Sequence, residues 1–198
     1  TKIIDYEYKQ KIICFEKKIE TGKRNEVSER TSYAAMTEEN KLRSDARRIR
    51  YYKKQIATLI EIALMNDFKI MATLTFSENI QNYHSALAKW QSFLKRLRYY
   101  IGSDMQYICV WEYQKRGAIH FHCLFNFHIE HKILSKIWGN GFIFISGINR
   151  QKNACLKPIQ YMTKYMLKTI QERIEQGTDI RGQRFFFTSN NLKKPTIS

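Results

Sequence analysis

Apolar and polar positions along the chain change period several times, and each change marks an element. Residues 1–36 alternate only weakly, through Ile3, Ile4, Tyr6, Tyr8, Ile12, Ile13 and Phe15, and predict an irregular, partly β N-terminal arm. From Thr37 the spacing becomes helical. Thr37-Glu38-Glu39-Asn40 reads as an N-cap followed by first-turn acids. Ile49, Tyr52, Ile56, Leu59, Ile60 and Ala63 then recur every three to four residues, predicting a helix, continuous or broken once, as far as Asn66. The run Phe68–Phe76 is apolar and β-branched and predicts a buried strand. A helix from about Ile80 to Tyr100, capped by Ser77 or Asn79, faces the core with Tyr83, Leu87, Trp90, Leu94 and Leu97.

Met105–Tyr113 and Ala118–Phe127 predict a β-hairpin turning at Gly117. A short helix over His131–Trp138 leads through Gly139-Asn140-Gly141, a hairpin-type turn signal, into a strand over Phe142–Ile148. Pro158 lies near the first turn of a helix from about Leu156 to Glu175. Arg184–Thr188 reads as a last strand, and the polar tail from Asn190 is expected to fray. Hairpin-paired strands with helices between them predict an α+β domain on a central antiparallel sheet of about five strands. The expected organisation is an N-terminal arm (1–36), one domain (37–189) and a C-terminal tail (190–198).

Composition narrows the partner. The 198 residues carry 34 Lys and Arg against 18 Asp and Glu, a net charge of +16, with a pI near 9.7. Such an excess attracts polyanions, nucleic acid foremost, although an anionic membrane surface would satisfy it equally. The longest apolar run, Ile56–Met65, is interrupted by Glu61 and too short to span a bilayer. The four cysteines form no C-x-x-C pair and read as small buried hydrophobes in a reducing compartment. No signal peptide opens the chain, so a cytoplasmic protein is expected. It begins at Thr1 rather than Met, as a segment of a longer protein would.

The most specific local feature is the stretch from Glu112 to His122. Residues two apart on a strand share a face, so His120 and His122 project side by side while Ile119, Phe121, Cys123 and Phe125 turn to the core. Glu112 lies on the preceding hairpin strand, where pairing brings its carboxylate to the imidazoles. Two neutral nitrogens and a carboxylate leave open positions, as a catalytic Mg²⁺ or Mn²⁺ requires. The same ligand types also suit a catalytic zinc, whereas a structural zinc lacks a fourth ligand. His84, His128 and His131 stand apart from this strand.

The second feature is a tandem Tyr-x-x-Lys. On a helix Tyr161 and Tyr165 stack on one face, with Lys164 and Lys168 on an adjacent one. A phenol with a pKa near 10 needs a nearby cation to act as a nucleophile at neutral pH, and these lysines supply it or hold a phosphate. The competing reading is an amphipathic helix with buried tyrosines and solvated lysines. Arg43, Arg47, Arg48, Arg50, Lys53 and Lys54 on the first long helix, Lys95, Arg96 and Arg98 on the second, and Lys115 and Arg116 at the hairpin turn are expected to contact a nucleic-acid backbone.

In this order the motifs resemble those of the HUH endonuclease superfamily, specifically the rolling-circle replication initiators of small bacteriophages and plasmids. Ala72-Thr73-Leu74-Thr75-Phe76 is similar to the first family motif and His120-Phe121-His122 to the second. Trp138-Gly139-Asn140-Gly141-Phe142 resembles the turn that follows them, and the Tyr-x-x-Lys pair matches the third motif twice. The resemblance covers residues 68–168. It implies an RRM-like palm and a metal held by His120, His122 and Glu112. It also implies tyrosine attack on single-stranded DNA or an origin hairpin, giving a 5′-phosphotyrosyl bond and a free 3′-hydroxyl. Members with two tyrosines alternate them, and in single-tyrosine relatives the first position can be an acid, which ranks Tyr165 above Tyr161 as initiating nucleophile. No phosphate-binding loop of the G-x-x-x-x-G-K-[ST] type is present, so a host helicase, like a host polymerase, is an expected partner. A transposase or conjugative relaxase shares the same chemistry, and a non-enzymatic DNA-binding regulator is the remaining alternative.

Overall fold

The structure, a computed structural model, describes residues 2–5, 10–14, 32–149, 155–177 and 183–197. Its centre is a five-stranded, wholly antiparallel sheet. In chain order the elements are β1 (Lys2–Asp5), β2 (Gln10–Ile13), α1 (Glu38–Met65), β3 (Ile70–Thr75), α2 (Tyr83–Ile101), β4 (Tyr107–Tyr113), β5 (Ile119–Phe125), α3 (His131–Trp138), β6 (Ile143–Gly147), α4 (Leu156–Glu175), β7 (Phe186–Thr188) and β8 (Thr196–Ile197). The sheet runs β6-β3-β5-β4-β7, so the strand bearing both histidines is central. The α+β class and the strand count are those expected from the periodicity. No helix among the described residues is long and apolar enough to cross a membrane.

Alternation assigns the two faces of the sheet. Ile70, Ala72 and Leu74 of β3 and Phe121, Cys123 and Phe125 of β5 are buried on one face, which α2 and α3 cover. There Trp90 stacks on Phe121 at 5.1 Å between ring centroids, and Phe93 and Phe76 pack on Trp138. The other face carries Thr73, His120, His122 and Glu112 and is covered in part by α4, against which α1 packs in turn. Burial on both faces explains why every residue of β5 is buried.

Several boundaries differ from the sequence expectation. The helix expected at Ile80 starts at Tyr83 and is capped by Asn82, whose side chain accepts from the Ser85 N–H. Ser77 is otherwise engaged, donating to the Asn140 carbonyl, while the Ile80 carbonyl accepts from Ile119. Gly139-Asn140-Gly141 is not a hairpin turn, because β6 pairs with β3. Gly139 closes α3, Trp138 donates through its indole to the Thr75 carbonyl, and the segment is locked onto the end of β3.

The tail does not fray. Leu192 is buried, Asn66 exchanges two hydrogen bonds with the backbone of Lys193, and β8 pairs with β1. A polar composition concealed this, since the tail is held mainly through backbone groups. Of the cysteines, Cys109, Cys123 and Cys155 are buried, but Cys14 is exposed. Residues 6–9 and 15–31 of the expected arm lie outside the described residues.

Gly141 sits where the chain presses on β3. A Cβ there would lie 2.3 Å from the Ser77 nitrogen and 2.4 Å from the Thr75 carbonyl oxygen, at a φ of +149°. Backbone clash and φ strain add, so Gly141→Ala is expected to cost about 2–4 kcal/mol. Urea denaturation of the variant measures this. A loss under about 0.5 kcal/mol would show that the junction yields easily.

Candidate metal and nucleophile site

Register builds the site. His120 pairs with Glu112 on one side and Thr75 on the other, and His122 pairs with Val110 and Thr73. Directly paired residues of an antiparallel sheet share a face, so Glu112, both histidines and both threonines converge. His122 Nε2 lies 2.8 Å from Glu112 Oε1, and its Nδ1 lies 3.1 Å from the Thr73 hydroxyl. The ligand atoms of Glu112, His120 and His122 all fall within 4.8 Å of one another.

A divalent cation suits these residues. His120 Nε2 is buried without a hydrogen-bond partner, which is costly for an imidazole nitrogen unless something accepts its lone pair or its proton. The cluster supplies two nitrogens and one carboxylate, and Thr73 fixes the orientation of the His122 ring by engaging the nitrogen that faces away from Glu112. Thr73 carried no role in the sequence reading. The signal was present, because Thr73 and Thr75 are the alternate positions of an otherwise apolar strand.

Burial first, then the neighbouring His122 and Arg116, depress the His120 pKa from 6.5 to about 4. In the metal-free chain the unfolded state therefore takes up a proton through pH 6.5, and the folded state only near pH 4. Between those values the unfolded state binds more protons, so stability falls as the pH is lowered through that window and levels off below it. The expected loss is at most about 3 kcal/mol, and less to the extent that solvent reaches and screens the ring. Urea unfolding in chelator across this range should show it in the parent chain and not in His120→Gln; identical profiles would remove His120 as the cause.

Helix α4 brings the tyrosines over the same spot. The Tyr161 and Tyr165 rings each lie 5.9 Å from that of His122, and 4.7 Å from one another. Ile159, Met162, Thr163, Met166, Thr169 and Ile170 bury the inner face of α4 and set its rotation. Tyr161 is 48% exposed, and its pKa is pushed up to about 12, first by the hydrogen bond it shares with Tyr165, then by burial and the nearby Tyr165 and Glu112. A raised value means that Tyr161 keeps its proton and donates it.

A cleft opens from this point, lined by Glu112, His120, Tyr165, Lys168, Lys115 and Arg116. Lys168 is 3.6 Å from Glu172, while Lys164 is exposed and outside the cleft lining. Arg116 donates to the Phe76 carbonyl and to Gln114.

The remaining cations are not gathered here. Arg43 pairs with Glu39, and Arg48 lies beside Asp45 and over the Tyr33 ring. Arg47 reaches the Arg43 carbonyl, and Arg50, Lys53 and Lys54 are exposed along α1. Lys95, Arg96 and Arg98 belong to α2, on the sheet face opposite the histidines, where Arg96 donates to the Ile137 and Trp138 carbonyls at the end of α3. His84 and His128 are exposed, and His131 lies near the Ile143 carbonyl.

Comparison with known proteins agrees with this arrangement. The family model for replication-associated proteins of the ORF2 type matches residues 69–170, just over half of the chain. That segment runs from the start of β3 through most of α4, and so holds Thr73, Glu112, His120, His122, Tyr161 and Tyr165 together. No curated protein and no solved structure matches the chain. With its motifs in family order on a five-stranded antiparallel sheet, the chain belongs to the ORF2-type replication-associated protein family, a family of rolling-circle replication proteins.

Proposed function

We propose that the chain is a metal-dependent, site-specific endonuclease of single-stranded DNA that initiates rolling-circle replication of a phage or plasmid. The observation that carries this reading is the placement of two helix-borne phenols against the ring of a histidine belonging to a Glu-His-His cluster. Membership of a replication family implies DNA as the polymer. Within it, a tyrosine beside a metal cluster is suited to phosphoryl transfer without a bound nucleotide.

Glu112, His120 and His122 would hold the ion. When bound, Mg²⁺ or Mn²⁺ would polarise the scissile phosphate and offset the charge that develops on its oxygens. The chain does the rest. Tyr165, in the cleft wall beside His120, attacks phosphorus; the new bond joins its oxygen to the 5′-phosphate, and the bond to the 3′-oxygen breaks, leaving a 3′-hydroxyl. Lys168 faces the same cleft and favours the phenolate or steadies the phosphate. Lys115 and Arg116 line the cleft mouth and draw the backbone in. A host polymerase extends the 3′-hydroxyl and a host helicase opens the duplex.

A pool of randomised single-stranded oligonucleotides tests the reading. With Mn²⁺ and label at the 3′ end, label should travel with the protein through a denaturing gel; with label at the 5′ end it should not. Protein-linked label from the 5′-labelled pool, or from neither, would refute the proposed chemistry.

A further inference from the structure

The sheet face that carries the histidines is only partly covered. At its β6 edge stand Phe142 and Phe144, 73% and 66% exposed. Their orientation follows from their neighbours: Ile143 and Ile145 turn into the core, so Phe142 and Phe144 turn to the histidine face. Register sets them in line with the site. Phe144 pairs with Thr73, which pairs with His122. Thr75 donates its N–H to the Phe142 carbonyl and pairs with His120. Each phenylalanine is therefore two strands from a histidine, about 10 Å at ordinary strand spacing.

Edge strands are normally guarded by charge, yet no charged residue occurs from Gly141 to Asn149. Scattered exposed apolar residues are ordinary, but two rings on alternate positions of one strand, on the face of the metal cluster, form a continuous surface with it. Tyr161, itself about half exposed, borders the cluster from α4. Every base has a π face, and flat aromatic rings beside a cationic protein are how single strands are held without sequence preference.

We propose that Phe142 and Phe144 form a stacking platform for the bases of single-stranded DNA that flank the scissile phosphate. The proposal rests on the nuclease reading above and adds to it the path of the strand: across β3 onto β6, away from the α4 side. Charge complementarity favours DNA over a second copy of this +16 chain. The rings bind bases, and the cations of the cleft bind phosphates.

Fluorescence anisotropy with a short labelled oligothymidylate, in chelator so that no cleavage occurs, tests this. The parent chain is compared with Phe142→Ala/Phe144→Ala and Phe142→Trp/Phe144→Trp. Loss of two stacked bases should weaken binding about a hundredfold in the alanine pair, while the tryptophan pair keeps affinity. The dependence of log affinity on log salt should stay the same in all three, since no phosphate contact is removed. The melting temperature should be unchanged or raised in the alanine pair, because both rings are exposed.

An oligothymidylate affinity equal to that of the parent chain overturns the platform, and so does a weakened affinity accompanied by a shallower salt slope. A parent dimer that the alanine pair converts to monomer, with DNA affinity intact, would assign the face to self-association instead. If the parent chain forms the covalent adduct and the alanine pair binds normally, the platform alone fails. If the parent chain neither binds DNA nor forms the adduct, the nuclease reading falls and the platform with it.

Discussion

Tyr165→Phe is expected to abolish the first cleavage, lowering the rate of adduct formation by a factor on the order of 10⁴ or more, as loss of a covalent nucleophile does. Tyr161→Phe should leave that step within about tenfold of the parent rate and slow the later strand-joining step instead. The asymmetry has a structural cause. Tyr165 lines the cleft with His120, whereas Tyr161 is held protonated, with its pKa pushed up to about 12, chiefly by the hydrogen bond to Tyr165. Once the Tyr165 oxygen is esterified to phosphate it is a poorer acceptor, and that hold on the Tyr161 proton relaxes. Tyr161 then becomes the second nucleophile. The double Phe variant should form no adduct. Single-turnover assays with a 3′-labelled oligonucleotide, followed by addition of an acceptor strand, separate the two steps. A larger first-step defect in Tyr161→Phe than in Tyr165→Phe would reverse the order.

Removal of the metal cluster should be nearly as severe. His120→Ala is expected to lower cleavage by a factor on the order of 10³ or more, and Glu112→Gln by about 10²–10³, with chelation of the parent chain giving the same floor. Activity alone does not separate binding from chemistry, so a second readout is needed. An ion that binds only the folded chain stabilises it by about 2.7 kcal/mol at a hundred times its dissociation constant. For a chain of this size that raises the melting temperature by roughly 5–10 °C. The parent chain should show this shift with Mn²⁺ and His120→Ala should lack it. An equal shift in both proteins would mean that the ion binds elsewhere. The buried, partnerless His120 nitrogen makes this the more diagnostic of the two substitutions, because Glu112 also has a hydrogen-bonding role with His122 in the metal-free chain.

Much of this was legible in the residues alone. Period-two alternation marked β3 and β5 as strands, and the two-residue spacing of His120 and His122 placed them on one face. The hairpin placed Glu112 within reach, since only Lys115–Gly117 and its flanks separate the strands. The one-turn spacing of Tyr161 and Tyr165 put both rings on one side of α4. These features are local: they depend on the 2.0 and 3.6 residue periods and on one short turn.

What failed depended on distant partners. Ser77 was a plausible cap by residue type, but Asn140, far along the chain, takes its donors. The tail looked free by composition, but Asn66 and β1 bind its backbone. Arg96 looked like a DNA contact, but the end of α3 holds it on the opposite face.

The sequence by itself determined the elements, the class of fold and the identity of the chemical groups, because each is set by residues within a turn or a hairpin of one another. Tertiary structure alone decided which of them meet. The β3–β5 register turned Thr73 toward His122, the packing of α4 laid both phenols over that ring, and the pairing of β6 carried two exposed phenylalanines onto the same face. Such meetings depend on which strand neighbours which and how a helix rotates on a sheet, and those are fixed by burial summed over the whole core rather than by any local period.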